Sequence, residues 1–343
     1  MIYLDEIEVN LDISQMEVAS EVLASPLYVS VVTTVDNILT VVVEDVHGLL
    51  RDNVYHFYGV KEYIKSYMEQ NGISIGEFDV SYYNYDASGN KVTSSLSEGF
   101  PVSVLYRNRV FQKGTSVPFN GADGLLASRF LTPNRVGWLM PDGNFRLAYY
   151  CATAETGTIT YVSHDGTSTT DTINASVGIG EVLLRYSSGY SMAHIVLGYR
   201  TFDIYYLDMP VVKRFRFRNM FNELEYIAVP AAITSSPSTD FETAQMNDVK
   251  IRYDIENTLE FTLKTAVLPA FMYTPLCDML LARKVEYSEV TGLWPTVIPN
   301  WGWKDILVTK YKFDKSDKPN SPVSLEMTFE YAEQAQVTAV QLK

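Results

Sequence analysis

The sequence predicts a mainly β protein, with two or three antiparallel β-sandwich domains in series. Three observations lead to this fold class. Aromatic residues make up 13% of the 343 residues and include 24 tyrosines, whose large rings favour strands and protein interfaces. Short β-branched stretches alternate with turn residues along most of the chain. Helical periodicity is confined to one helix in the N-terminal domain and one short helix in the C-terminal domain.

Residues 1–111 are predicted to form a β-rich domain that contains the longer helix. Two β-branched stretches meet at Asp36-Asn37, a pair of residues that suits a tight hairpin turn. The helix is predicted from Val60, with apolar residues three and four apart. It should end at Gly72, because glycine adopts the left-handed conformation that commonly terminates a helix.

Two further domains are predicted after a linker. Residues 112–124 are rich in glycine, proline and small polar residues, as is typical of a linker. Residues 125–209 contain short strands separated by the turn signals Asp142-Gly143 and Asp165-Gly166, a pattern typical of an antiparallel sandwich. Residues 210–343 are predicted to be a C-terminal β-domain that includes the short helix.

Charge and cysteine content exclude several classes of protein. A net charge of −14 argues against a general nucleic-acid binder and against docking on an anionic membrane. Cys151 and Cys277 are far apart, which excludes a disulfide scaffold and a paired-cysteine zinc site. The N-terminus lacks the features of a signal peptide, and no apolar run approaches the ~20 residues that span a bilayer. We therefore expect synthesis in a cytoplasm and no membrane insertion.

Catalytic and cofactor motifs are weak, so we expect neither an enzyme nor a cofactor. Ser191 and His194 approach a nucleophile-elbow pattern, but Ala193 stands where that tight turn requires glycine. The acidic pair Asp254 and Glu256 could serve a hydrolase or bind calcium, although such pairs are usually solvated. A hydrolase is therefore the third of three functional hypotheses.

The stretch VVKRFRFRNMF contains the strongest strand pattern, because three arginines alternate with two phenylalanines. Such alternation places Phe215 and Phe217 on one face, predicted to be buried, and Arg214, Arg216 and Arg218 on the other. The arginines are expected to meet carboxylates of this chain or of a neighbouring subunit, and they are the candidate interface residues. Contact with nucleic acid is a weaker alternative.

Four tryptophans carry a different hypothesis. If Trp138, Trp294, Trp301 and Trp303 are exposed, their indoles could stack on sugar rings. The cluster Trp294, Trp301 and Trp303 is the candidate sugar-stacking site. The alternative function is therefore a carbohydrate-binding or adhesive β-sandwich protein, with a host-surface glycan as its ligand.

The sequence resembles tail and baseplate-region proteins of tailed phages and prophages of gut bacteria. The resemblance lies in the order of four segments, FLTPNRVGWLMPDGNFRLAYY, FRNMFNELEYI, LEFTLKTAVLP and PLCDMLLARKVEY. The resemblance covers roughly residues 100–310 and rests on the order and residue composition of these segments rather than on an invariant motif. It implies no catalytic residues. It implies a virion protein whose partners are copies of itself and other virion proteins. The leading hypothesis is therefore an oligomeric connector of a phage tail or baseplate.

Overall fold

The computed structural model of the protein describes residues 2–4, 7–12, 26–92, 100–107, 129–141, 143–209, 212–246, 249–288, 302–316, 318 and 320–332. These residues divide into two compact units. Unit 1 comprises the described residues of Met1–Gln112 together with Met220–Glu223, and unit 2 those of Ser128–Asn219 and Leu224–Lys343. The predicted linker, residues 112–124, lies outside the described residues.

Unit 1 contains nine strands and one helix among its described residues. They are β1 Ile2–Tyr3, β2 Asn10–Asp12, β3 Tyr28–Val35, β4 Ile38–His47, β5 Leu49–Arg51, β6 Val54–His56, α1 Val60–Asn71, β7 Ile75–Tyr85, β8 Lys91–Val92 and β9 Phe100–Leu105. The main sheet has the order β1-β9-β7-β3-β4, with β8 paired to β7, and a small sheet has the order β2-β6-β5. The pair β1–β9 is parallel, unlike the antiparallel pairing expected.

The helix and the first hairpin form where the sequence predicts them. Asp36 and Asn37 have φ angles of 51° and 64°, which are left-handed. A two-residue hairpin turn needs this conformation at both positions to match the right-handed twist of the two strands that it joins. Helix α1 buries Val60, Ile64 and Met68 and ends at Gly72 with φ 65°. The apolar face of α1 therefore contributes to the core of unit 1 together with residues of β3 and β7.

Unit 2 begins with a β-sandwich. Its strands are β10 Arg129–Phe130, β11 Val136–Leu139, β12 Asn144–Cys151, β13 Glu155–Ser163, β14 Ser168–Ala175, β15 Gly178–Arg185, β16 Tyr190–Leu197 and β17 Arg200–Tyr206. One sheet has the order β10-β12-β15 and the other β11-β17-β16-β13-β14. All neighbours are antiparallel except β11 and β17. The predicted middle sandwich is thus present, with one parallel pair that the sequence pattern does not reveal.

The second part of unit 2 is a closed barrel. Its elements are β18 Val212–Arg218, β19 Leu224–Met246, β20 Val249–Thr265, a 3₁₀ turn Ala270–Met272, α2 Tyr273–Leu281, β21 Val285–Ser288, β22 Trp303–Lys315 and β23 Val323–Tyr331. The strand order is β18-β19-β20-β23-β22-β21, and β18 pairs with β21 to close the ring.

The closed barrel corrects the expectation that each domain of the protein is a β-sandwich. The mainly β fold and the short C-terminal helix are confirmed, but the C-terminal domain is a barrel and not a sandwich. Every barrel strand pairs on both sides, so the six strands form one continuous wall. The barrel has its own core, around Phe215, Phe217 and Phe329, and Trp138 of the sandwich joins it. The predicted middle and C-terminal domains therefore belong to one compact unit.

The turn between β18 and β19 is anchored within unit 1 by a buried asparagine. Asn222 is 3% exposed, and its φ of 64° is left-handed. Its Nδ2 donates hydrogen bonds to the Met68 carbonyl at 2.8 Å and to the Ile73 carbonyl at 3.2 Å. The side chain thus adds a hydrogen bond to the Met68 carbonyl in the last turn of α1 and bonds the Ile73 carbonyl just beyond the helix.

We predict that Asn222→Ala destabilises unit 1 by about 2–3 kcal/mol, because it removes two hydrogen bonds and because alanine tolerates the left-handed conformation less well than asparagine. All four tryptophans lie outside the segments of unit 1. In a urea titration the far-UV circular dichroism transition should move to lower urea, while the tryptophan fluorescence transition stays in place.

Asn53→Ala is the matched control, because Asn53 is exposed in the same unit with the same φ of 64°. It should cost only about 1 kcal/mol, the conformational part alone. Equal effects of the two variants would show that the hydrogen bonds of Asn222 contribute nothing.

Candidate interaction surface of the barrel

Strand β18 has the register that its alternating sequence predicts. Phe215 and Phe217 are 0% and 1% exposed and lie inside the barrel, where the Phe215 and Tyr287 ring centroids are 5.4 Å apart. The arginines occupy the other face of the strand, because successive side chains of a strand point to opposite sides. The prediction that both rings are buried is confirmed.

Arg216 is engaged within the chain. It stands directly opposite Glu286 of β21, and its Nε and Nη2 donate to the two carboxylate oxygens at 2.6 and 2.8 Å. The guanidinium also lies over the Trp303 ring, 4.8 Å from its centroid. Both charged side chains are largely buried, with 9% and 14% of their surface exposed. One of the carboxylates expected for the arginines is therefore Glu286, a residue that the sequence pattern does not single out.

The other two arginines differ from Arg216 and from each other. Arg214 is 6% exposed, and its Nη2 lies 3.4 Å from the Pro141 carbonyl oxygen. Arg218, at the end of the strand, is exposed. Burial leaves little of Arg214 and Arg216 for a partner to reach, so the predicted interface role applies best to Arg218, where it stays a prediction.

The tryptophans give limited support to a sugar site. Trp138 is 6% exposed, and its Nε1 donates to the Ala228 carbonyl at 2.6 Å, so it does not meet the condition of exposure for sugar stacking. Trp303 is half-buried, with Arg216 over its ring and Tyr226 at 6.0 Å. Trp294 and Trp301 lie outside the described residues, so sugar stacking at those two positions stays a prediction.

The hydrolase candidates do not come together. Ser191 and His194 are three residues apart on β16, whose register with β13 shifts at Ser191. The Ser191 hydroxyl donates to the Val162 carbonyl at 3.0 Å, and His194 Nδ1 lies 2.6 Å from an Asp203 carboxylate oxygen. The two side chains thus have separate partners and not the mutual hydrogen bond of an activated serine.

The acidic residues were the second hydrolase or metal-binding candidate. Within the described ranges, no three His, Cys, Asp or Glu side chains are grouped so that they could hold a metal ion. The side chains of Asp254 and Glu256 on β20 lie outside the described part of the chain.

The most distinctive surface of the barrel is a two-stranded arm. Strand β19 pairs with β18 only as far as Pro230, and β20 pairs with β23 only through Phe261–Lys264. The strands continue to pair with each other from Ser236 and Glu260 out to Met246 and Val249. Among the described residues no third strand joins this part. At about 3.4 Å per residue the arm is roughly 35 Å long.

Among the described residues, both edges of this arm are open along its length. Unpaired backbone N–H and C=O groups on a strand edge are a template for pairing with another chain. A two-stranded ribbon is also only marginally stable in water without further packing. Near the base Ser235, Ser236 and Pro237 are exposed, and Leu259 is 43% exposed. The sequence pattern predicts two paired strands at residues 250–255 and 259–267, but the structure has one continuous strand there, β20, which pairs with β19. The length of β19 does not stand out either, because proline and serine interrupt its apolar alternation.

Comparison with known proteins assigns no family. No protein-family model matches the chain, and no curated protein matches it. A chain of a solved structure, the virion of a native gene transfer agent particle, matches 37% of this chain and 99% of its own length. The identity is 9% and the TM-score 0.22, and a likeness of that size establishes no shared fold. Within the described residues, no helix is both long and apolar enough to cross a membrane.

We predict strong coupling between Arg216 and Glu286. Arg216→Met should cost about 3–5 kcal/mol of unfolding free energy, because it leaves the Glu286 carboxylate largely buried without its partner. Arg216→Met combined with Glu286→Met should recover most of that loss. The double-mutant cycle is measured by urea unfolding followed through tryptophan fluorescence, to which Trp303 contributes.

The matched control is the exposed pair Lys264 and Glu326 on the same barrel, whose charged atoms are 3.2 Å apart. Its coupling should be below about 1 kcal/mol, since solvent screens exposed charges. If the coupling of Arg216 and Glu286 were as small as that, the buried pair would not stabilise the barrel wall.

Proposed function

We propose that the protein is a structural component of a phage virion, in the tail or baseplate, and that it acts there as an oligomeric connector. The observation that carries this proposal is the arm formed by β19 and β20, which extends roughly 35 Å beyond the last barrel pairing. Its partners are copies of the same chain and other virion proteins.

The arm favours a connector because of its unpaired edges. A ribbon with two open edges gains stability when it adds to a sheet or packs on the surface of a neighbour. If every copy extends its arm to one neighbour and receives the arm of another, each contact joins the arm of one copy to a different surface on the next copy. Repetition of such a contact closes a ring if the rotation between copies allows it. The sequence resemblance implies rings or hubs of identical copies at the tail, or decoration of the virion, and the arm favours the first of these.

The location in a virion is supported by that resemblance, which covers roughly residues 100–310. The proposal that the protein is not an enzyme is supported by the separate hydrogen-bond partners of Ser191 and His194. The carbohydrate-binding alternative loses weight because Trp138 and Trp303 make contacts within unit 2. We therefore place the connector first and expect contact with nucleic acid to have no part in it.

Deletion of the arm tests the proposal. Strand pairing places Ser235 opposite Phe261, so residues 236–260 can be replaced by Asn-Gly, which forms a tight two-residue turn. We expect the full chain to assemble at micromolar concentration and the shortened chain to be a folded monomer. Light scattering and mass photometry measure both states.

Two controls make the result specific. The shortened chain should keep the tryptophan fluorescence of the full chain, which shows that the barrel is intact. A variant shortened at the exposed turn Asp52-Asn53 of unit 1 should assemble like the full chain. A full chain that is monomeric at high concentration, or that is absent from purified phage particles, contradicts the proposal.

A further inference from the structure

Strand β4 leaves one edge of the main sheet of unit 1 open. It is the last strand of that sheet, and among the described residues only β3 pairs with it. With ten residues it is the longest terminal strand in the described part of the chain, since β14 and β15 of the sandwich have eight each. Its outer edge therefore presents backbone N–H and C=O groups that can pair with another strand.

The first part of this edge lacks the features by which proteins usually protect an edge, which are charge, proline and bulges. Residues 38–41 read ILTV, and three of their side chains, Ile38, Leu39 and Val41, are 67, 64 and 51% exposed. The register with β3 is regular as far as Val41 and shifts beyond it. The acids Glu44 and Asp45 also follow that point. We call residues 38–41 the β4 edge.

Exposed apolar side chains lie on both faces of the hairpin at this end. Val35, itself 42% exposed, pairs with Ile38, and Leu39 belongs to the next pair along the strand, on the opposite face. Strand β3 pairs with β7 only as far as Val32, so no third described strand supports this end. A strand added to the β4 edge would place its side chains beside these on both faces and remove apolar surface from water.

We propose that the β4 edge receives the arm of a neighbouring copy. This inference rests on the proposed function, in which the arm joins copies of the chain. The arm has open backbone edges of its own, and strand addition satisfies both sets of groups at once. It is roughly 35 Å long and the β4 edge about 13 Å, so the arm is long enough to cover the edge completely.

Charge favours the β4 edge over the other long terminal strands. Each copy carries a net charge of −14, so contacts between copies must limit repulsion between acids. Strand β14 contains Asp171 and β15 contains Glu181, whereas the β4 edge contains no charged residue. The arm and the β4 edge are also different surfaces present once in each chain. Every copy can thus give one arm and receive one, as a ring requires.

Lysine substitution tests the β4 edge. Leu39→Lys combined with Val41→Lys should make the chain monomeric at a micromolar concentration at which the full chain assembles, because lysine on an edge opposes strand pairing. The matched control is Ile179→Lys with Leu183→Lys on the terminal strand β15, where the side chains are 46 and 45% exposed. That variant should assemble like the full chain, as measured by mass photometry.

Two measurements keep the test independent of folding defects. The far-UV circular dichroism transition of the lysine variant in urea should stay in place, since the substituted side chains are exposed. In the unchanged chain, hydrogen exchange of residues 38–41 should slow on assembly and become fast on dilution. Exchange in the β4 edge that is the same in both states overturns the inference.

A mixture of two variants gives the sharpest result. The lysine variant keeps its arm, and the chain in which Asn-Gly replaces residues 236–260 keeps its β4 edge. Each should be monomeric alone, and an equimolar mixture should form particles that contain one copy of each. A mixture that stays monomeric overturns the inference.

The outcomes separate this inference from the proposed function. If the lysine variant assembles while the shortened chain is monomeric, the arm binds another surface, and the inference fails although the proposed function stands. If the shortened chain dimerises and the lysine variant does not, two β4 edges pair with each other, which also overturns the inference. A full chain that does not assemble contradicts the proposed function itself, and the inference with it.

Discussion

Closure of the barrel depends on β18, which pairs with β19 on one edge and with β21 on the other. A strand in that position has one face in the core and one outside, so its residues must alternate between apolar and polar. Phe215 and Phe217 meet the first requirement and the arginines the second. Because Arg216 is buried on the outer face of this strand, its charge needs a partner nearby, and Glu286 directly opposite supplies it. The ion pair is therefore a consequence of closure.

Closure of the barrel also explains why the arm differs from the rest of the sheet. Six strands complete the barrel, and their backbone groups are satisfied around the ring. Strands β19 and β20 exceed the length that the ring uses and leave it as a pair. The protein thus combines a closed wall, which has no edges to offer, with one ribbon that has two. An assembly contact through the ribbon leaves the barrel core undisturbed, and this separation suits a component that must fold before it joins others.

Local features of this fold could be predicted from the sequence because they depend on nearby residues. The turn at Asp36-Asn37, the end of α1 at Gly72 and the inward rings of β18 all follow from local conformational preference or from a period of two. Closure of the barrel could not be predicted, since it depends on pairing between β18 and β21, about 70 residues apart. The partner of Arg216 was missed for the same reason.

The length of β19 and the burial of Asp278 could not be predicted, because the residues around them usually indicate a different structure. The strand β19 contains Pro230, Pro237 and several small polar residues, which ordinarily mark turns, so a 23-residue strand did not stand out. Asp278 lies in a short helix, where a single acid usually faces solvent. Only the three-dimensional packing of α2 shows that this acid is buried.

Hydrogen exchange of the arm amides tests the central claim most directly, because it reports the contact itself. In the assembled protein, amides of residues 236–246 and 249–260 should exchange as slowly as those of the barrel strands. They should become fast on dilution, while β18 and β23 stay protected. Fast exchange of the arm at high concentration, or equal protection in the diluted monomer, would contradict the claim that another copy covers the arm.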